Sequence, residues 1–129
     1  TYFGPIFEYS QGDSDITNAW LGHRNFAYDL VSALHPKTIV ELGTHYGVSF
    51  FSMCQAVKDR GYADVHLVAI DTWKGDPQAD YYGEEVFTKV KDRVQTYYHS
   101  LSIELIRNTF NGAVPYFKDK SINNEEIVF

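Results

Sequence analysis

The hydrophobic positions along this chain follow two alternating patterns, which predict strands and helices in turn. Two runs, 38–42 and 65–70, are apolar almost throughout, as is typical of strands buried on both faces of a parallel sheet. Between these runs, apolar residues recur every three or four positions, as they do on one side of a helix. With further strands at 101–106 and from 126 onwards, the predicted order is a helix followed by β-α-β-α-β-α-β.

Proline and glycine indicate where the predicted helices end. The first helix closes at His35-Pro36, because the residue before a proline disfavours helical backbone. A helix over 48–60 is followed by Gly61, the residue type that commonly caps a helix C-terminus. Further helices are predicted over 84–98 and around 113–117. In the first helix, the apolar residues that we assign to the protein core are Trp20, Phe26, Ala27, Leu30, Val31 and Leu34.

Alternating strands and helices predict a parallel sheet with helices on both faces, joined by right-handed crossovers. The predicted fold class is therefore α/β and Rossmann-like. A length of 129 residues suits one domain and leaves no room for two full ones. We expect an N-terminal arm over 1–14 and a single domain over 15–129.

The composition narrows the functional classes. With 44% hydrophobic and 16% aromatic residues, the chain is too apolar to be disordered. Its formal net charge of −6 disfavours a protein that works by neutralising a phosphate backbone. No apolar run approaches the roughly 20 residues that span a bilayer, and the N-terminus does not resemble a signal peptide. We therefore expect a cytoplasmic protein that binds neither nucleic acid nor a membrane.

The cysteine and histidine residues form no pattern typical of a metal site. Cys54 is the sole cysteine, and its place on the apolar side of a predicted helix indicates a buried, inert thiol. The five histidines are scattered along the chain, without the close spacing of paired metal ligands. We expect no metal, and we assign structural or surface roles to every histidine except His45, which lies in a loop with possible chemistry.

That loop lies within 41–49, between the first predicted strand and the helix that follows it. In open parallel sheets, ligands bind at such strand-to-helix connections. Gly43 allows a tight turn and a close approach of ligand to backbone, and Gly47 allows close packing where the helix begins. Asp71 ends the second strand, where a carboxylate can accept hydrogen bonds from two ribose hydroxyls. A generic strand–helix turn with a capping aspartate explains the same residues and stays open at this point.

The run Val40 to Ser49 resembles the first motif of class I S-adenosylmethionine-dependent methyltransferases, an acidic residue followed by Gly-x-Gly-x-Gly. The run Ala69 to Asp76 resembles their acidic second motif. The segments 82–87 and 106–110 are similar to a bacterial subgroup that often occurs beside or fused to glycosyltransferases. The resemblance implies methyl transfer from S-adenosylmethionine to a small-molecule or glycan acceptor.

By position, the resemblance also implies which residues hold the cofactor. Glu41 orders the loop and reads the cofactor's amino group, the loop 43–47 wraps the methionine part, and Asp71 holds the ribose. Residues 72–73 and 108–110 lie near the adenine. The implied cofactor-binding residues are Glu41, Gly43, Thr44, His45, Tyr46, Gly47, Ser49, Asp71, Thr72, Trp73, Asn108, Thr109 and Phe110. The resemblance identifies no catalytic residue in this chain.

The sequence departs from the family motif at one position and leaves two other functions open. His45 takes the place of the middle glycine, and its side chain leaves a ligand less room to approach the backbone. A nicotinamide-dependent oxidoreductase needs Gly-x-Gly-x-x-Gly and an acidic residue about 20 residues further on. The spacing Gly-x-x-x-Gly and the more distant Asp71 favour the methyltransferase. A non-catalytic α/β binding or interaction module that keeps the fold is the other alternative.

The family's fold implies that this chain covers only its N-terminal half, with the strand order 3-2-1-4. The sequence stops at Phe129, inside a predicted core strand, so we expect a truncated domain that is inactive alone. Strand four would then form an exposed sheet edge, which predicts a homo-oligomer through that edge. The polar and aromatic loop 74–82 is either solvated or a lid that faces the substrate.

Overall fold

The structure is a computed structural model that describes residues 5–10, 24–74, 83–118 and 126–128. A single turn of 3-10 helix at Glu8–Ser10 precedes the regular elements of the described chain. These elements are, in order, α1 Arg24–Leu34, β1 Thr38–Leu42, α2 Val48–Arg60, β2 His66–Asp71, α3 Gly83–Tyr97, β3 Ser102–Arg107, α4 Phe110–Lys118 and β4 Glu126–Val128.

The strands form one parallel sheet in the order β3-β2-β1-β4. In its register, Val40 of β1 lies beside Val68 of β2 on one side and Val128 of β4 on the other. Helix α2 connects β1 to β2, and α3 connects β2 to β3, as parallel neighbours require. The predicted α/β class, a parallel sheet flanked by helices, is confirmed.

Successive residues of the central strands face opposite layers of helices. On one face, Ile39 and Leu67 are fully buried in a core that includes residues of α1, α2 and α3. On the other face, Val40 and Val68 pack with Ala113 of α4. Burial on both faces explains why these strands read as continuous apolar runs in the sequence.

Helix α2 has the bounds that the sequence predicts. It follows Gly47, and it ends at Gly61, whose φ of 67° is left-handed and whose N–H donates to the carbonyl of Lys58 at 3.1 Å. Nearly the whole first two-thirds of the helix is buried. Because it is so extensively buried, α2 anchors the C-terminal end of the loop that precedes it.

The prediction that Phe26 belongs to the core is wrong. Its side chain is 64% exposed, whereas Ala27 and Val31 are buried where α1 packs on α2. Neighbouring helical residues point roughly 100° apart, so burying Ala27 and Val31 turns Phe26 outwards. Leu34 is exposed as well. Trp20 and the predicted start of this helix lie outside the described residues.

The predicted N-terminal arm is described over 5–10, and this part packs against the domain. Phe7 and Tyr9 are buried in the larger core. The Tyr9 hydroxyl lies 3.2 Å from Ser52 Oγ of α2. No hydrophobic period in the sequence indicates this contact, because two separate aromatic anchors and the polar contacts of Glu8 form it.

Candidate functional site

The carboxyl ends of β1, β2 and β3 meet at one edge of the sheet, where ligands bind in folds of this class. Strand β1 leads through Glu41 into the loop 43–47, and β2 ends at Asp71. Strand β3 ends at Arg107, which lies beside Asp71 in the register, and the segment 108–110 follows it. Three segments that are distant in sequence are thus adjacent.

Two left-handed glycines bend the loop 43–47. Gly43 has a φ of 80° and Gly47 a φ of 86°, conformations that are strained for other residues. A Cβ atom at Gly47 would also lie 2.6 Å from the ring of Phe51. The N–H of Gly47 donates to the carbonyl of Thr44 at 2.8 Å and closes the turn.

Glu41 is an almost fully buried acid at the end of β1, with 4% of its surface exposed. Its Oε2 atom accepts a hydrogen bond from the Ser49 hydroxyl, while Oε1 has no partner among the described residues. Burial raises the pKa of Glu41 to about 7; the hydroxyl groups of Ser49 and Thr44 oppose the rise, and the nearby charge of Asp71 adds to it. Oε1 of this buried carboxyl group therefore keeps acceptor capacity that no well-aligned hydrogen bond of the described residues fills.

Thr44 supplies a second buried oxygen in the same region. The residue is 4% exposed, and its Oγ1 atom has no hydrogen-bond partner within the described part of the chain. A buried polar atom without a partner costs about 1–3 kcal/mol, so folded proteins keep few of them. The Thr44 hydroxyl lies near enough to Glu41 to lower the pKa of its carboxyl group, and together these two oxygens indicate a place for a polar ligand group at the predicted ligand edge.

Asp71 ties two loops together. Its Oδ2 atom accepts the N–H of His45 at 2.8 Å, and its Oδ1 atom accepts the N–H of Trp73 at 2.9 Å. Its backbone carbonyl accepts the N–H of Asn108 at 3.0 Å. A carboxylate offers about four acceptor positions, so two remain for the hydroxyl groups of a ligand.

Trp73 supports the loop from inside the protein. It is fully buried, and its indole N–H donates to the carbonyl of His45 at 2.9 Å. Its ring packs against Phe87 with the centroids 4.9 Å apart. The neighbouring Thr72 is half-buried, and its carbonyl accepts a hydrogen bond from Arg107 Nε at 3.3 Å.

The segment 108–110 forms the third side of the site, at the start of α4. The Thr109 hydroxyl accepts the N–H of Gly112 at 3.0 Å, which caps this helix. Phe110 is 50% exposed, and its ring lies 3.9 Å from the position of a Cβ atom at Gly43. An exposed aromatic ring therefore adjoins the glycine turn.

Two arginines that no sequence pattern indicates hold this region. Arg93 of α3 is 6% exposed and donates from Nη1 to the carbonyl of Tyr46 at 3.2 Å, and burial lowers the pKa of its guanidinium. Arg107 pairs with Glu84 at 2.6 Å. Each arginine lies more than 20 residues from its partner, so no local motif could mark either contact.

The predicted cofactor-binding residues lie at one edge of the sheet, but they differ in how much of their surface is exposed. Glu41, Thr44, Asp71 and Trp73 are buried. The exposed members are Gly43, His45, Asn108, Thr109 and Phe110. Lys74 of the predicted lid is exposed, and the rest of that loop, 75–82, lies outside the described residues.

Within the described ranges, no group of three or more His, Cys, Asp or Glu is placed to hold a metal ion. His35 is hydrogen-bonded to Asp64 at 2.8 Å, and His66 to Ser102 at 2.7 Å. Cys54 is fully buried, as predicted, and burial raises the pKa of its thiol. Over the same ranges, the helices are too short or too polar to cross a membrane.

A second buried polar centre lies between α2 and the N-terminal segment. Gln55 is 2% exposed, and its Nε2 donates to Glu8 at 2.7 Å and to Asp59 at 3.0 Å. Its Oε1 accepts the N–H of Glu8 at 3.1 Å and the hydroxyl of Tyr98 at 2.8 Å. All four hydrogen-bonding positions of this amide are filled, although an open depression of about 540 Å³ borders it.

A known protein family matches the part of the chain that forms this sheet edge. The model of the methyltransferase domain family matches residues 40–126, which is more than half of the chain. The chain therefore belongs to the methyltransferase domain family, and the resemblance to class I methyltransferases is confirmed.

Two relatives illustrate the extent of the match. The chain is 44% identical over 109 residues to the uncharacterized protein y4gI of Sinorhizobium fredii, covering 84% of this chain and 12% of that protein. It is similar in fold to the crystal structure of the methyltransferase PaMTH1 from Podospora anserina, which is bound to SAH. The TM-score is 0.54 at 15% identity, over 78% of this chain and 36% of that one. The chain spans much less than the full length of either protein.

Proposed function

We propose that this chain supplies the cofactor-binding part of an enzyme that transfers a methyl group from S-adenosylmethionine to a small-molecule or glycan acceptor. One observation carries the proposal: the unpartnered Oε1 atom of the buried Glu41, at the carboxyl end of β1 and under a glycine-bent loop. Membership of the methyltransferase domain family and the SAH bound to PaMTH1 support it.

The residues present fit the chemical groups of this cofactor. Its positively charged amino group suits the available oxygen of Glu41, since an ionised partner offsets the cost of a buried carboxylate. Its two ribose hydroxyls suit the two remaining acceptor positions of Asp71. The loop 43–47 would hold the methionine part. Thr72 and the exposed segment 108–110 would hold the adenine.

The cofactor supplies a methyl group that its sulfonium already activates. The residues of this chain contribute alignment and the exclusion of water rather than acid–base chemistry. The alignment is supported by the hydrogen bonds of Asp71 and by the glycine turn, which fix backbone positions around the site. We assign no catalytic base to the described residues, and the choice of acceptor rests on the family resemblance.

We also propose that the protein is cytoplasmic and self-associates through the β4 edge of the sheet. In the described sheet, β4 pairs with β1 and forms one border. A strand at the border of a sheet favours pairing with another strand. Analytical ultracentrifugation of the full-length protein tests this: a dimer or higher oligomer supports the proposal, and a monomer at all concentrations contradicts it.

Calorimetric titration of the full-length protein with SAH and with S-adenosylmethionine tests the proposed function. We expect micromolar binding by the wild type and binding at least about tenfold weaker in Asp71→Asn, which loses the charge and an acceptor. Asp64→Asn is the matched control, because Asp64 is exposed and pairs with His35 away from the site. It should bind as the wild type does. No binding of either ligand by the folded wild type would contradict the proposal and favour a non-catalytic module.

A further inference from the structure

Two successive carbonyl groups of the loop 43–47 are held by side chains from other elements. The His45 carbonyl accepts the indole N–H of Trp73 at 2.9 Å, and the Tyr46 carbonyl accepts Arg93 Nη1 at 3.2 Å. Both donors are buried, with Trp73 fully covered and Arg93 6% exposed. The peptide planes of the loop are therefore fixed by the protein interior.

The contact between Trp73 and His45 closes a ring of three hydrogen bonds. Asp71 accepts the N–H of His45 on one oxygen and the N–H of Trp73 on the other, and Trp73 returns to His45 through its indole. His45 and Trp73 both have left-handed backbone, with φ of 56° and 51°. This conformation is unfavourable for residues other than glycine, and the ring of three hydrogen bonds stabilises it.

Trp73 has no exposed surface with which to stack on a ligand. Its ring lies against Phe87 of α3, and its one polar atom is directed at the loop. We propose that Trp73 is a positioning residue, which holds His45 in its left-handed conformation and thereby shapes the loop before the cofactor binds. This inference rests on the proposed function and differs from the family's expectation that residue 73 lies beside the adenine.

The physical basis is preorganisation. Without the indole donor, the loop populates conformations in which His45 leaves the left-handed region. Binding must then restore the competent conformation, so the apparent dissociation constant rises as the reciprocal of the fraction of molecules that keep it. The fold itself depends less on this bond, because Phe87 continues to pack on the ring at position 73.

Trp73→Phe in the full-length protein tests the inference, since it removes the donor and keeps an aromatic ring. We expect SAH to bind about tenfold more weakly, the effect of losing one buried hydrogen bond. In the absence of ligand, amide hydrogen exchange over 43–47 should be faster than in the wild type. Tyr62→Phe is the matched control, because Tyr62 also donates to a backbone carbonyl, that of Ser32 at 2.8 Å, beyond the other end of α2. It should leave both readouts unchanged.

If Trp73→Phe does not fold, replacement of Trp73 by benzothienylalanine removes the N–H donor with almost no change of shape. Wild-type affinity and wild-type exchange over 43–47 in either folded variant would overturn the inference. If the wild type itself does not bind SAH, the proposed function fails, and the exchange measurement still decides whether Trp73 holds the loop. The two failures are thereby distinguishable.

Discussion

Two buried polar centres of this molecule, at Gln55 and at Glu41, differ in how fully their hydrogen-bonding capacity is used. The amide of Gln55 uses both donors and both acceptor positions, joining α2 to the N-terminal segment and to Tyr98. The carboxyl group of Glu41 has one oxygen on Ser49 and the other without a partner among the described residues. Both residues are at least nine-tenths buried.

The difference separates a structural role from a functional one. A filled network stabilises the fold and leaves nothing for a ligand, whereas an open buried acid weakens the fold until something binds. Here the open acid lies near the carboxyl end of β1, and the filled amide lies on α2 where that helix contacts the N-terminal segment. Under the proposed function, unsatisfied hydrogen-bonding capacity indicates the cofactor site, whereas the open depression beside Gln55 does not.

The largest effect is expected at the filled centre. Gln55→Leu keeps the volume but leaves the Tyr98 hydroxyl and the N–H of Glu8 without their acceptor. We expect the free energy of unfolding to fall by about 4 kcal/mol, measured by urea denaturation. The folded fraction should bind SAH with wild-type affinity. A loss of SAH affinity without a loss of stability would contradict the structural role of Gln55.

The next largest effect is a pH dependence at Glu41. Its pKa is about 7 in the folded protein, against 4.5 for an ordinary glutamate, because of burial. The folded state therefore holds a proton that the unfolded state releases, so this residue's contribution to stability falls between about pH 4.5 and 7 and is lost above that range. The expected loss is on the order of 3 kcal/mol.

Denaturant unfolding of the wild type and Glu41→Gln across pH 5 to 8 checks this dependence. The neutral amide cannot ionise, so the variant should become more stable relative to the wild type as the pH rises. Parallel stability curves for the two proteins would contradict the raised pKa and would remove the main physical difference between the two centres.

The smallest effect compares the two glycines that flank α2. Both have left-handed backbone, but a Cβ at Gly47 would meet the ring of Phe51 at 2.6 Å, whereas nothing lies within 4 Å of one at Gly61. We expect Gly61→Ala to cost about 1 kcal/mol and Gly47→Ala about 3 kcal/mol. The difference, measured by thermal unfolding, isolates the close packing at the loop. Equal costs would show that Phe51 moves aside freely.

The parts of the fold that the sequence predicts best are those in which local pattern and burial agree. Strand β1 and helix α2 have the predicted bounds, since each is an apolar run ended by a glycine or a turn. Strand β4 begins at Glu126 as predicted, whereas β2, β3 and α3 are displaced by about a residue and α4 is longer, because helix and strand ends depend on capping and pairing. The prediction that Phe26 is buried is wrong because an apolar side chain does not by itself indicate which side of α1 faces α2.

The sequence predicts that the candidate residues lie at one edge of the sheet, and it predicts less about how they contact one another. The glycine turn and Asp71 follow from the order of strands and from the family motif. The hydrogen bonds that Asp71 accepts from His45 and Trp73, and the contact of Arg93 with the loop, join residues that local periodicity cannot relate. Nor does a sequence reveal that Glu41 keeps one oxygen unpaired, since that depends on the positions of every neighbour.

Hydrogen–deuterium exchange of the full-length protein, with and without saturating SAH, tests the central claim most directly. The account predicts slower exchange in peptides that cover 41–49 and 71–73 when SAH is bound, because the open centre becomes occupied. It predicts no change in peptides that cover 5–10 and 55–59, where the hydrogen bonds are already filled. Protection confined to the second set of peptides, or absent from both while SAH is bound, would contradict the account.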